Sequence, residues 1–235
     1  MIHGAGAFAE SWKMVVANFT SHEFNTIMFD MPGHLRSTGN ALISIKECAD
    51  FIDTLVNAFT TEYQLEKRFT LVGHSYGGAI TGEVAIRNVD WLKNVVLVGT
   101  SSYFENVSSD EFMEKLKNGE MDLRFYKRGF SPSSPDKLYE IIVNSIKFVS
   151  LKATYADFFA TTTYNNTENF VKIDKPTLII EGKDDIIMPK GAGTLMHSKI
   201  KDSELITIEN AGHFLTTEAF HIVAQEIQSF ILKNK

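Results

Sequence analysis

The residue best placed to do chemistry in this chain is a serine between glycines. The stretch Phe69-Thr70-Leu71-Val72-Gly73-His74-Ser75-Tyr76-Gly77-Gly78-Ala79 reads as a short apolar strand, a Gly-x-Ser-x-Gly turn and a helix start. A strand that reverses sharply into a helix needs small residues around the turn, because larger side chains would collide there. Gly73, Gly77 and Gly78 supply them. Such a turn lifts the Ser75 hydroxyl above the strand end and aims the Tyr76 amide at an incoming carbonyl oxygen, with the helix dipole adding favourable potential. The plainer alternative is a Gly-rich helix start with a capping serine.

A serine hydroxyl is a weak nucleophile near neutral pH and needs a base to take its proton. Seven histidines are available. His3, His34 and His74 sit in other motifs, His22 falls in a loop away from the expected active edge, and His197 and His221 fall on helical stretches. His213 alone follows the last strand in an Ala211-Gly212 loop, where an imidazole can reach over the sheet edge. The base in turn needs a carboxylate to fix its tautomer and stabilise the imidazolium. Asp184 and Asp185, adjacent to each other after the apolar run 177–181, are the two candidates.

The elements that must position these groups alternate along the chain. Residues 26–30, 69–73, 95–99, 177–181 and 204–208 read as strands, and 10–19, 44–62, 77–88, 189–198 and 217–232 carry helical apolar periodicity. Alternation with right-handed crossovers predicts an α/β protein with a mainly parallel, doubly wound sheet covered by helices on both faces. Ligands bind at the carboxyl ends of strands in such sheets. The alternation stops over 103–173, where helices at 110–118, 122–127, 135–148 and 151–161 predict a helical cap inserted into a core of 1–102 and 174–235. Phe125, Tyr126, Tyr155, Phe158 and Phe159 make this region rich in aromatics, and an apolar substrate pocket follows if they close over Ser75.

At these residues the chain resembles the α/β-hydrolase family, in its esterase-like branch with a helical cap. The resemblance rests on the serine turn, His3-Gly4-Ala5-Gly6, Asp30-Met31-Pro32-Gly33-His34, Gly182-Lys183-Asp184-Asp185 with Pro189, and Gly212-His213-Phe214. It implies a carboxylesterase-like reaction through an acyl-serine, with Ser75 as nucleophile and His213 as base. The family pattern picks Asp185 over Asp184 as the acid, and makes the amides of Ala5 and Tyr76 the oxyanion donors. Thr100, Ser101 and Ser102 occupy the other position where relatives carry the acid, so none competes there. Leu35 and Arg36 depart from the family's usual Gly-x-Ser continuation. Thioesterase, carbon–carbon hydrolase, aminopeptidase and acyltransferase chemistry stay open, as does a non-catalytic ligand-binding or signalling relative.

Composition narrows the partners. Apolar residues make up 44% and charged residues 22%, and the formal net charge is −6 without a basic stripe, which argues against nucleic acid. No apolar run is long enough to span a bilayer and no leader pattern opens the chain, so a cytoplasmic protein acting on a small acyl compound is expected. The lone Cys48 lies on the apolar stripe 48, 51, 52, 55, 56 and 59 and reads as core. No ligand cluster for a metal and no cofactor loop is evident. Only Met1 and Ile2 precede the His3 loop, where the family places a full central strand, so Met1 is expected to replace or interrupt a longer native segment.

Overall fold

The computed structural model describes residues 1–21, 25–66, 68–104 and 107–235; His22 lies outside them. Four parallel strands pair in chain order: β1 (Phe69–His74), β2 (Leu92–Val98), β3 (Thr177–Gly182) and β4 (Ser203–Ile208). Their registers align Val72 with Val96 and Val96 with Leu178, and place Gly73, Leu97 and Ile179 in the next row. Because side chains alternate across a strand, adjacent rows serve opposite faces. Leu71, Val95, Leu97 and Ile179 enter one buried cluster, and Val72, Val96, Val98, Leu178 and Ile180 the other.

Helices cover both faces. α1 (Lys13–Ala17) follows a short 3-10 turn, Ala9–Trp12, so the predicted helix 10–19 forms as two pieces. α2 (Ile45–Tyr63) starts at Ser44, whose hydroxyl accepts from the Glu47 amide at 3.2 Å, and turns its Cys48, Ala49 and Ile52 side inward. α3 (Tyr76–Ala85) leaves β1 through Ser75. Between β2 and β3 the chain builds α4 (Asp110–Lys117), α5 (Leu123–Arg128), α6 (Asp136–Ile146) and α7 (Leu151–Thr162). α8 (Ala192–Lys199) lies against β3 and β4, while α9 (Leu215–Glu218) and α10 (Phe220–Lys233) divide the predicted helix 217–232 at Ala219. α2, α3 and α8 bury their apolar sides in the first cluster; α1 and α10 bury theirs in the second. Among the described residues, no helix is long and apolar enough to cross a membrane.

The expected strand at 26–30 does not form: this stretch runs without ladder pairing. A strand exists through its neighbour, and the neighbour here is Met1 and Ile2. Ile2 bridges Gly73, donating to the Val72 carbonyl at 2.8 Å and accepting from the His74 amide at 3.2 Å. The terminal amino group of Met1 donates to the Ile27 carbonyl at 2.8 Å. Pairing here amounts to one bridge to β1 and one hydrogen bond to Ile27, short of a ladder on that side.

Backbones pass closely at the turn around Ser75. A Cβ on Gly73 would lie 2.0 Å from the Gly77 carbonyl oxygen, and one on Gly77 would lie 2.5 Å from the carbonyl oxygens of both Ile2 and His3. These partners are backbone and cannot rotate away. Gly77→Ala is therefore expected to lower unfolding stability by about 3 kcal/mol or more. Urea denaturation checks this; a variant as stable as the parent would refute the packing described.

Candidate active site

Ser75 stands between β1 and α3 at φ 53° and ψ −119°, a backbone region that non-glycine residues rarely occupy. It is held there from two directions. Its amide donates to the Val98 carbonyl at 3.0 Å, and its carbonyl accepts from the Thr100 hydroxyl at 2.7 Å and the Ala79 amide at 3.0 Å. The side chain is left pointing off the carboxyl end of the sheet.

His213 and Asp185 meet it there. His213 Nε2 lies 3.0 Å from Ser75 Oγ, and His213 Nδ1 lies 2.9 Å from Asp185 Oδ2. A carboxylate can only accept, so Nδ1 carries the proton and Nε2 is free to take one from the hydroxyl. The other oxygen of Asp185 accepts from the amides of Ile187 at 2.8 Å and Met188 at 3.0 Å. Burial pushes the Asp185 carboxyl up, but the charge and hydrogen bond of His213 and these two amides outweigh it, and the net shift is downward. Asp184 points elsewhere and accepts from the Ser131 hydroxyl at 2.6 Å.

The backbone around His213 is also tied. Its amide donates to the Gly129 carbonyl at 2.6 Å, and its carbonyl accepts from His74 Nε2 at 2.8 Å. The amides on either side, of Gly212 and Phe214, donate to the carboxylate of Glu218 at 3.1 and 3.0 Å. Glu218 also accepts from the Ser131 amide at 2.8 Å and the Ser134 hydroxyl at 2.6 Å, so one carboxylate joins the histidine loop to the turn between α5 and α6. No sequence reading singled Glu218 out; its position five residues after His213, at a helix end, was the available signal.

Ala5 and Tyr76 line the same cavity as Ser75. Tyr76 N–H is the first of α3 and has no acceptor within its helix. Ala5 N–H has no acceptor among the described residues. The cavity they line, of about 190 Å³, is walled mainly by apolar groups, with Glu10 and Lys13 at its rim. Phe125, Tyr126 and Phe158 line it, but Tyr155 and Phe159 do not. Those two, four residues apart on α7, stack at 5.9 Å on the outward face, and Phe159 is 40% exposed. The cavity instead takes Phe8, Met14, Phe104, Ile142, Ile146 and Phe214, drawn from segments far apart in sequence.

Behind the Ala5 loop lies a buried polar group. His3 Nε2 accepts from the Met31 amide at 3.1 Å, so its proton sits on Nδ1 and is donated to the Gly4 carbonyl at 2.9 Å. Burial lowers its pKa to about 4. His34 differs: Nδ1 faces the Pro32 carbonyl at 3.2 Å and Nε2 faces Asp157 Oδ2 at 2.9 Å. Burial pulls His34 down, yet the bond to Asp157 and its charge prevail and the net shift is upward. Ligand atoms of His3, His34 and Asp157 lie within 4.8 Å of one another, a grouping not evident in the sequence. The hydrogen bonds commit both His34 nitrogens as donors, so His34 has no lone pair for a metal. Cys48 is buried, with Sγ 3.0 Å from the Tyr76 hydroxyl, and burial raises its thiol to about 12.

Fold and site together define a class, and comparison with known proteins agrees. The model of the alpha/beta hydrolase family matches residues 1–226, and the chain belongs to that family. It is 28% identical to a putative esterase/lipase of Mycoplasma pneumoniae, an alignment covering 100% of this chain and 90% of the relative. It is 26% identical to the (E)-2-((N-methylformamido)methylene)succinate hydrolase of Acinetobacter baylyi, over 98% of this chain and 89% of that protein. A lipase-esterase related protein from Clostridium acetobutylicum superposes with a TM-score of 0.83 at 24% identity, covering 97% of this chain and 92% of that one. These relatives are hydrolases, which supports a hydrolase here.

Two buried neutral histidines set a pH dependence. Burial lowers His3 to about 4 and, together with the neighbouring His213, lowers His74 to about 3. In the unfolded chain both sit near 6.5. Their stabilising effect is thus complete above about pH 6.5 and is lost as pH falls toward the folded values, since only the unfolded chain gains protons in that window. Urea unfolding at pH 4.5 is expected to show a net loss on the order of a few kcal/mol relative to pH 7, with the raised pKa of His34 acting in the opposite direction. Equal stability at both would refute neutral burial.

Proposed function

We propose that the protein is a serine hydrolase that cleaves small carboxylic esters, or closely related acyl compounds, through an acyl-serine intermediate. The observation that carries this reading is the unbroken chain from Ser75 Oγ to His213 Nε2 at 3.0 Å and from His213 Nδ1 to Asp185 Oδ2 at 2.9 Å, set at the wall of an apolar cavity.

His213 Nε2 takes the hydroxyl proton as Ser75 Oγ bonds to the carbonyl carbon. The carbonyl oxygen becomes an oxyanion, which the amides of Ala5 and Tyr76 receive. Collapse breaks the bond to the leaving oxygen, which departs with the proton held by His213, and leaves the acyl group on Ser75. Water then gives a proton to His213 and its oxygen attacks the acyl carbon. The serine oxygen leaves, recovering the proton, and the acid is released.

The cavity bounds the substrate. An apolar cavity of roughly 150 Å³ holds a benzene-sized molecule, so about 190 Å³ suits a short or ring-sized acyl group. Apolar walls favour a neutral acyl chain, with any charge left at the rim near Lys13 and Glu10.

A fluorophosphonate probe tests the nucleophile. Ser75 is expected to be labelled, and Ser75→Ala to lose both labelling and at least about a thousandfold of esterase activity. No labelling of the native protein, or equal labelling of Ser75→Ala, would overturn the reading and favour a ligand-binding role. Phe158→Ala is expected to raise KM for short acyl esters several-fold while Phe159→Ala leaves it unchanged. An equal effect at both positions would remove Phe158 from the substrate wall.

A further inference from the structure

We infer that Asp157, paired with His34, is the positioning residue of the oxyanion hole: its carboxylate, supplied by α7, fixes the loop that carries the Ala5 amide. This rests on the hydrolase reading above and names a part of that site which the reading does not use.

The loop lacks sheet support. Ile2 makes one bridge to β1, and from His3 onward the chain runs free of any strand. After His3, whose ring accepts from the Met31 amide at 3.1 Å, the backbone is next tied to another segment at Gly6. Its amide donates to Asp157 Oδ2 at 2.9 Å, at φ +63°. Ala5 and Gly6 amides are one Cα apart, so pinning the second leaves the first few directions to point. The same oxygen accepts from His34 Nε2 at 2.9 Å, and both side chains are almost wholly buried, at 0% and 1% exposure. Thr154, one turn earlier on α7, closes the gap: a Cβ on Gly6 would lie 2.8 Å from its methyl group.

The carboxylate also acts on the Tyr76 side chain. The Tyr76 hydroxyl, held by Cys48, is kept protonated first by burial and then by the charge of Asp157. Asp157 thus stands between the loop bearing one oxyanion amide and the side chain of the residue bearing the other. A carboxylate is costly to bury without partners. Here its partners are the His34 imidazolium and the Gly6 amide, so movement of the loop would strip a buried charge of one of its donors. The loop is held in place by that cost.

Positioning predicts a different result from simple anchoring of α7. Asp157→Asn keeps the size and one oxygen able to receive both donors, but it removes the negative charge that holds the Gly6 amide and the His34 ring against it. Deleting one oxyanion donor costs about 10²–10³-fold in rate, and displacing one should cost about 10–100-fold. Asp157→Asn is expected to lower kcat for a p-nitrophenyl ester by that factor, to change KM less than about threefold, and to weaken an alkyl boronic acid in step with kcat. Its tetrahedral adduct places an oxygen in the hole.

Ser150→Ala removes the N-cap of the same helix, where the hydroxyl accepts from the Ala153 amide at 3.2 Å. It should lower the melting temperature while leaving kcat and boronate affinity unchanged. If Asp157→Asn behaves like Ser150→Ala, the inference fails and the hydrolase reading stands. A native protein that neither hydrolyses acyl esters nor takes the fluorophosphonate label would fail both. Should Asp157→Asn not fold, hydrogen exchange of the native protein decides: protection of the Gly6 amide comparable to the β1 amides supports the inference, and exchange at a loop rate overturns it.

Discussion

The site depends on one crossing of backbones. The carbonyls of Ile2 and His3 pass over Gly77 closely enough that a single methyl group would lie 2.5 Å from each. That contact brings the loop carrying Ala5 beside the first turn of α3, so that Ala5 and Tyr76 line the same cavity as Ser75. The same crowding holds Ser75 in its rare backbone conformation, because the strand must end and the helix begin within one residue. A rare conformation costs about 1–3 kcal/mol and persists only where surroundings over-determine it. The Val98, Thr100 and Ala79 bonds to Ser75 supply that determination.

What could be read from the sequence follows how local each requirement is. The serine turn was legible because its glycines are demanded by contacts within a few residues. His213 and Asp185 were legible as the polar residues left after strand ends, although choosing Asp185 over its neighbour needed the family pattern; the structure turns Asp184 to Ser131. The strand expected at 26–30 does not form because strand-like composition is not enough without a paired neighbour, and among the described residues this stretch meets the segment beside it through the single hydrogen bond from Met1 to Ile27. Tyr155 and Phe159 were chosen by residue type, while the phase of α7 decides access: the inward side holds Thr154, Asp157, Phe158 and Thr161. Asp157 could not have been found locally, since its contact with Gly6 spans 151 positions.

The helices between β2 and β3 do more than roof the cavity. Two of the carboxylate junctions through which they touch the site are of opposite construction. At one, the core supplies the carboxylate, Glu218, and the turn after α5 supplies donors from Ser131 and Ser134. At the other, α7 supplies the carboxylate, Asp157, and the core supplies donors from Gly6 and His34. The first junction holds the His213 loop and the second holds the Ala5 loop. The proposed base and the proposed oxyanion donor are therefore tied to the same set of helices that wall the pocket, so displacing those helices would disturb the proposed chemistry from both sides.

The molecule also uses one chemical pair, histidine with aspartate, in two states, and the difference lies in the second ring nitrogen. In His34 that nitrogen faces the Pro32 carbonyl, which can only accept, so both nitrogens must carry protons and the pair is a fixed ion pair. In His213 the second nitrogen faces the Ser75 hydroxyl, which can donate, so the nitrogen stays open and a proton can move. Exchanging a carbonyl for a hydroxyl at about 3 Å turns a static charge into an acceptor. Burial of His34 at 0% exposure keeps water from offering it the same freedom. The static pair sits against the loop that must not move, and the open pair sits where the proposed reaction requires a proton to travel.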